Sequence, residues 1–328
     1  MTTPVKTDVT VAVLGAGRWG RNLVRNLYEL GALDAVVDPR PEVRSEIEAT
    51  YPGVAVLAEA KDAFASDVNA VVIATPAVTH ASLALAAVQA GKDVFVEKPF
   101  SLSVEEAERV VREAYAAERI LMVGHMLLYQ PAVRWIRRCV GEGLIGSLIG
   151  LHQERLNLGT VRTVENVLWS LGVHDVAALL YLIGEEVLRV TAWGQRALQE
   201  GIEDDMYLHL QFESGVEGHL HASWLWPERR RRLSVVGTDA MLVYDEEEHV
   251  VVLHRRHVRK DLSVEDLGAE VVFTGEVAPL RAELEHLLEC IRTRATPISD
   301  GESALRVIRV LDQASTQLSL GSPLVRRG

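Results

Sequence analysis

The chain is poor in cysteine: Cys139 and Cys290 are the only two, far apart in sequence, and no C-x-x-C occurs. Neither a thiolate zinc site nor a redox pair is expected, and a reduced, cytoplasmic compartment fits best. Positive charge is also short. Against 46 acidic residues stand 34 lysines and arginines, a formal net charge of −12. A nucleic-acid binder needs a basic surface to neutralise phosphates, so none is expected as a partner. A small anionic substrate stays open, because one basic cleft can sit on an acidic protein. No apolar run reaches the roughly 18 residues that span a membrane. The N-terminal "MTTPVKTDVT" has no apolar signal-peptide core. Internal repeats and low-complexity tracts are missing too. What remains is an ordinary soluble composition, 48% hydrophobic and 24% charged over 328 residues. That length favours two domains.

The first third alternates strand and helix. "VTVAVLGAG" is nearly continuous in apolar residues, as in a strand buried on both faces. "RWGRNLVRNLYELG" has helical spacing and stops at Gly31. "LDAVVD", "VAVLA", "VNAVVIATP", "DVFVEKP" and "ILMVGH" read as further strands, with helices between them. Ser103 with Glu106 three residues later forms a capping-box pattern. The alternation predicts a doubly wound parallel sheet over residues 1–124. From about residue 147 the pattern changes to strands such as "MYLHLQFES", "VEGHLHASWLW" and "HVVVLHRR". These predict a large, mostly antiparallel open sheet, and the chain closes with two helices. Residues 125–328 are therefore expected to form a second, α/β domain.

"GAGRWG" places Gly15, Gly17 and Gly20 as G-x-G-x-x-G, with Ala16, Arg18 and Trp19 between them, after a strand and opening a helix. That context marks a dinucleotide-binding (Rossmann) turn: a tight turn, close backbone approach to a pyrophosphate, and close helix–strand packing. Free N–H groups at the helix start would meet the phosphates. Asp38 ends the second strand, where a carboxylate accepts from the adenosine 2′-hydroxyl and repels a 2′-phosphate. NAD is favoured, while Arg40 keeps NADP open. Thr75, Pro76 and His80 follow the fourth strand, beside the expected cofactor. The plain alternative for His80 is an ordinary residue of a helix N-terminus.

"FVEKPF" sets Glu97, Lys98 and Pro99 at the end of the next strand, and "GVHD" brings His174 and Asp175 into the oily stretch "VLWSLGVHDVAALLYLIG". A glycine turn of this kind, an E-K-P after the fifth strand and a later G-x-H-D resemble the glucose–fructose oxidoreductase/inositol dehydrogenase (Gfo/Idh/MocA) family over essentially the whole chain. The resemblance implies a dehydrogenase in which Lys98 hydrogen-bonds the substrate oxygen beside the nicotinamide and His174 takes the hydroxyl proton. A neutral imidazole titrates near working pH, and a position in the first turn of a helix disfavours its protonation. Without the resemblance, Lys98 reads as a solvated strand end and His174 as a buried core histidine. Many members carry an aspartate four residues before this histidine; here stands Ser170. Asp175 could orient the imidazole or cap the helix. The implied assembly is a homodimer or homotetramer.

A narrower resemblance lies in "QERLNLGTVRTVENVLWSLGVHD", which is similar to the nucleotide-sugar branch of the family, the UDP-N-acetylglucosamine 3-dehydrogenase-like proteins. It implies oxidation at C3 of a UDP-N-acetylhexosamine or its uronic acid. Arg155, Asn157 and Arg162 offer donors for a diphosphate or sugar hydroxyls, and Glu165 and Asn166 could read hydroxyls. "GHMLLYQP" adds His125, Tyr129 and Gln130 where the chain leaves the cofactor domain. Each of these could equally be a surface or structural polar residue. A dehydrogenase of free polyols or monosaccharides is the alternative, and a dinucleotide-sensing regulator without turnover is another; a pure sensor needs neither Lys98 nor His174. "ERRRRLS" and "HRRHVRK" read as solvated strand edges. His249, His254 and His257 lack metal-ligand spacing, and no metal is expected.

Overall fold

Continuous apolar runs build the first sheet. In this computed structural model, which describes residues 7–275 and 278–321, six short strands pair in parallel: β1 (Val11–Leu14), β2 (Leu33–Val37), β3 (Ala55–Leu57), β4 (Ala70–Ile73), β5 (Asp93–Val96) and β6 (Leu121–Val123). Every residue of β1, β4 and β5 is buried, as strands covered on both faces require. The order is β3-β2-β1-β4-β5-β6, so the direction in which successive strands are laid across the sheet reverses between β1 and β4. Ligands of such sheets lie outside the C-terminal strand ends at that reversal. The connecting helices are α1 (Gly20–Glu29), α2 (Pro41–Thr50), α3 (Ala60–Ala65), α4 (His80–Gln89) and α5 (Val104–Ala116). The Ser103 hydroxyl caps α5 by accepting the Glu106 N–H at 3.4 Å.

After α6 (Pro131–Gly141) comes the second sheet. Its strands are β7 (Leu148–Leu158), β8 (Val187–Gln195), β9 (Asp205–Phe212), β10 (Glu217–Ser223), β11 (Leu225–Gly237), β12 (Met241–Asp245), β13 (Val250–Val258) and β14 (Val264–Thr274), with α7 (Val173–Ile183) between β7 and β8. The order is β14-β13-β12-β11-β7-β10-β9-β8, antiparallel throughout except for the parallel pair β7–β10. Alternation is clean: Met206, Leu208, Leu210 and Phe212 of β9 are buried while Tyr207 and His209 face outward. Helix α7 covers the buried face at β7 and β10. Two helices follow, α8 (Pro279–Thr293) and α9 (Gly301–Gly321). Among the described residues no helix is long and apolar enough to cross a membrane.

Two compact units emerge. The first holds the described residues up to Met126 together with Ala278–Ile308; the second runs from Leu127 to residue 275 and resumes at Arg309. The sequence places everything after 125 in the second domain, whereas residues 278–308 return to the first. The reason is local. Helix α8 packs on α1, Arg294 pairs with Asp93 of β5 at 2.5 Å, and Ser299 accepts the Val123 N–H at 2.8 Å.

Inside the second unit lies a buried ionic cluster. Arg155 of β7 donates from Nε to both oxygens of Asp175, at 2.6 and 2.8 Å, and from Nη2 to Glu246 at 2.9 Å. Gln130 donates to Glu246 at 3.1 Å and accepts from the Tyr244 hydroxyl at 2.7 Å. Burial alone would discharge Arg155, but the two carboxylates outweigh it and keep the guanidinium charged. Such a cluster adds little net stability when intact, yet removing one member strands the others in low dielectric. Arg155→Ala is expected to cost about 3–5 kcal/mol in denaturant unfolding. A loss below about 1 kcal/mol would show that the carboxylates reach water without their arginine.

Candidate functional site

The glycine turn shows a division of labour. Gly15 adopts φ 93°, and a Cβ there would stand 2.8 Å from the Ala74 carbonyl oxygen beyond β4. A Cβ on Gly20 would fall 2.0 Å from the Gly15 carbonyl oxygen. These two glycines allow strand and helix to touch. A Cβ on Gly17 would meet nothing within 4 Å, so its backbone faces open space at the start of α1, where a pyrophosphate can approach. Arg18 and Trp19 are exposed on the same turn.

Asp38 closes the turn from the end of β2. Its carboxylate accepts the Ala16 N–H at 2.9 Å and the Arg40 side chain at 2.7 and 2.8 Å. The Arg40 guanidinium and the backbone donors hold Asp38 down at about 2 against the effect of burial. Asp38 therefore stays ionised at the position suited to a ribose hydroxyl, and Arg40 is turned onto Asp38 instead of outward toward a 2′-phosphate.

Glu97, Lys98 and Pro99 follow β5, with a cis bond between Lys98 and Pro99. Glu97 is buried and accepts the Trp19 indole N–H, which joins the glycine turn to the E-K-P segment. Burial pushes the Glu97 carboxyl up, opposed by Trp19 and Lys98. His80 is buried and bridges two carbonyls, Thr75 and Pro99, each at 2.8 Å. It acts as a strut that fixes the end of β4 to the E-K-P turn. The Thr75 and Thr79 hydroxyls are 2.7 Å apart, and Pro76 lies between β4 and His80.

His125, just after β6, is 3% exposed, and its Nδ1 has no protein partner. Burial, reinforced by the nearby Lys98 ammonium, drives it down to about 3, so it is neutral. The sequence reading overlooked Glu283 on α8. This carboxyl is buried, its Oε1 lacks a partner, and burial together with Glu97 raises it well above the carboxylate range. A single glutamate on the otherwise apolar buried stripe of Leu284, Leu287 and Ile291 was the available signal.

In the second unit, His174 is half-buried near the start of α7. The helix does not begin there. A π-helical turn, Leu168–Gly172, runs directly into α7. Asn166 caps this longer helix by accepting the Trp169 N–H at 3.2 Å, and its amide donates to Glu203 at 2.9 Å. His174 thus sits more than a turn inside, and the expected dipole effect at a free N-terminus is corrected, because that effect fades within the first turn. Ser170 is buried in the π turn, its hydroxyl 3.4 Å from the Val167 carbonyl. Asp175 is buried, and both of its oxygens accept from Arg155. Arg155 and Gln130, read as candidate substrate donors, belong to that same interior cluster. Tyr129 is buried. Asn157 is half-buried with its Oδ1 unpartnered. Arg162 is exposed, 3.6 Å from Glu165.

A glycine turn at a sheet reversal, an ionised carboxylate at the end of β2 and a lysine after β5 define an NAD-binding oxidoreductase domain joined to a sheet-rich partner domain. Residues 9–125 match the family described as "Oxidoreductase family, NAD-binding Rossmann fold", and residues 133–243 match the "GFO/IDH/MocA C-terminal domain". The chain belongs to the Gfo/Idh/MocA oxidoreductase family. It is 28% identical to UDP-N-acetylglucosamine 3-dehydrogenase of Acidithiobacillus ferrooxidans, over 90% of this chain and 93% of that one. It is also 28% identical to scyllo-inositol 2-dehydrogenase (NAD(+)) of Bacillus subtilis, over 97% and 96%. The solved structure of the A. ferrooxidans enzyme superposes with a TM-score of 0.86 at 26% identity, covering 95% of this chain and 97% of that one.

The glycines separate packing from cofactor binding. Gly17→Ala is expected to leave thermal unfolding unchanged while weakening NAD about tenfold or more in calorimetry, a loss near 1.4 kcal/mol. Gly20→Ala is expected to lower the unfolding temperature sharply. If Gly17→Ala binds NAD like the parent protein, the pyrophosphate does not pass over this turn.

Proposed function

We propose that the protein oxidises the C3 hydroxyl of a UDP-linked N-acetylhexosamine, or of its uronic acid, to a ketone with NAD as the acceptor. The observation that carries the reading is the joint presence of Lys98 after β5 and His174 on α7 in a chain with an intact glycine turn and Asp38. NAD, when bound, takes the hydride from the sugar carbon. The residues that fit it are the amides of the turn at Gly15–Gly20 for the pyrophosphate and Asp38 for the ribose.

In this reading the Lys98 ammonium hydrogen-bonds the hydroxyl oxygen and stabilises negative charge as the O–H bond breaks. His174 accepts that proton. His125, kept neutral by its burial, presents an imidazole without charge and helps orient the sugar. Asp175 and Arg155 act from behind: they anchor the helical turn that bears His174. With Arg155 and Gln130 held inside the protein, recognition of the diphosphate falls to Asn157, Arg162 and neighbouring backbone. Full-length similarity to a UDP-N-acetylglucosamine 3-dehydrogenase supports the nucleotide-sugar substrate. Equal similarity to a scyllo-inositol dehydrogenase supports a free polyol as the second reading.

Mass spectrometry with stoichiometric enzyme and NAD decides between them. UDP-N-acetylglucosamine or its uronic acid is expected to become lighter by two hydrogens, and Lys98→Ala to abolish the change while still binding NAD. If neither nucleotide sugar changes and myo-inositol reduces NAD, the polyol reading replaces this one. Absence of turnover with every substrate would favour a dinucleotide-sensing role.

A further inference from the structure

Strand register gathers histidines that sequence spacing keeps apart. His219 of β10 stands directly beside His152 of β7 on one side and His209 of β9 on the other. All three project from the open face, opposite the buried Leu151, Leu208 and Leu220. The rings of His219 and His152 stack with centroids 4.6 Å apart, and that of His209 lies tilted at 4.7 Å. Glu217, two residues before His219 and so on the same face, brings its carboxylate within 3.8 Å of His219 Nε2. One ligand atom from each of His209, Glu217 and His219 lies within 4.8 Å of the others.

The Nδ1 atoms of His209 and His219 face each other at 3.1 Å. At that separation one nitrogen carries a hydrogen and the other a lone pair; two protonated rings would repel. Two imidazole nitrogens each about 2.0–2.1 Å from a tetrahedral zinc ion stand about 3.3 Å apart. The observed pair needs only a small displacement to admit an ion in place of the shared hydrogen. In the neighbouring row His221 already points at Asp205, 3.2 Å from both its oxygens, and stacks on Tyr207. That imidazole is oriented by its aspartate and does not converge on the pair.

We propose that His209, His219 and Glu217 form a binding site for a divalent transition ion of the zinc class on the open face of the second sheet. Water completes the tetrahedron, and the stacked His152 shields one side. Two imidazoles with one carboxylate suit zinc, copper or nickel over magnesium or calcium. The site is separate from the residues assigned to hydride and proton transfer, so its failure leaves the dehydrogenase reading untouched.

Competition between the full-length protein and a chromophoric zinc chelator measures the site. The expected result is one zinc ion per chain with a dissociation constant of about 10 µM or tighter. Cobalt(II) should show the visible bands of tetrahedral coordination. His219→Ala and Glu217→Gln should each weaken zinc by about tenfold or more, with thermal unfolding of the metal-free protein unchanged. His254→Ala, on β13 away from the cluster, should bind as the parent does. The proposal is overturned by the absence of stoichiometric zinc binding, by wild-type affinity in His219→Ala and Glu217→Gln, or by half an equivalent of zinc that appears only with a metal-linked dimer.

Discussion

The close approach of three backbone segments governs the cofactor unit. The Gly15 carbonyl lies where any side chain on Gly20 would have to go, and Gly15 itself leaves no room for one beside Ala74. Only glycine satisfies both contacts, so the first helix starts hard against the point where the sheet reverses. From that placement follow the free amides at the helix start, the Asp38 carboxylate bonded back to Ala16, and the indole of Trp19 on Glu97. Move the helix out by one methyl group and each of these bonds lengthens. Gly17 carries no such packing burden, and it is the glycine whose surroundings stay open.

The buried groups around Arg155 and those around Glu97 differ in how fully they are partnered, and the difference bears on function. Around Arg155 nearly every donor has an acceptor: Asp175, Glu246, Gln130 and Tyr244 answer one another. A satisfied network of this kind fixes architecture. Around Glu97 the balance is unfinished. His125 and Glu283 are buried with polar atoms unanswered by the protein, and burial pushes both toward their neutral forms. Unpartnered buried groups are costly and seldom persist without a use. His125 lies near the lysine to which the family resemblance gives the chemistry, and Glu283 near Glu97 just before it, as perturbed groups at functional sites commonly do.

Much of the cofactor unit was legible because its information is local. The strands before residue 125 are unbroken apolar runs, the glycine triplet sits between strand and helix, and Ser103 with Glu106 caps as its spacing implies. The second unit was legible as a sheet through period-two alternation, as in Met206 to Phe212. Three kinds of information were not local. β14 was not anticipated, because an exposed edge strand such as "VEDLGAEVVFT" shows no buried face in its pattern. Arg155 read as an anion donor because the two carboxylates that claim it lie 20 and 91 residues away. The histidine row of β7, β10 and β9 depends on register, which fixes neighbours across strands and leaves no trace in spacing. The start of the helix bearing His174 was misplaced for a related reason: a π turn does not keep the 3.6-residue period by which helices are read.

Transfer of hydrogen from one sugar carbon to the nicotinamide is the event this whole arrangement is held to serve. It can be followed with UDP-N-acetylglucosamine deuterated at C3, incubated with NAD and stoichiometric enzyme, and read by NMR of the dinucleotide. The account predicts that deuterium leaves C3 and appears at C4 of the reduced nicotinamide, on one face of the ring. Reduced nicotinamide without the label, or a sugar that keeps its deuterium while NAD is consumed, would contradict it.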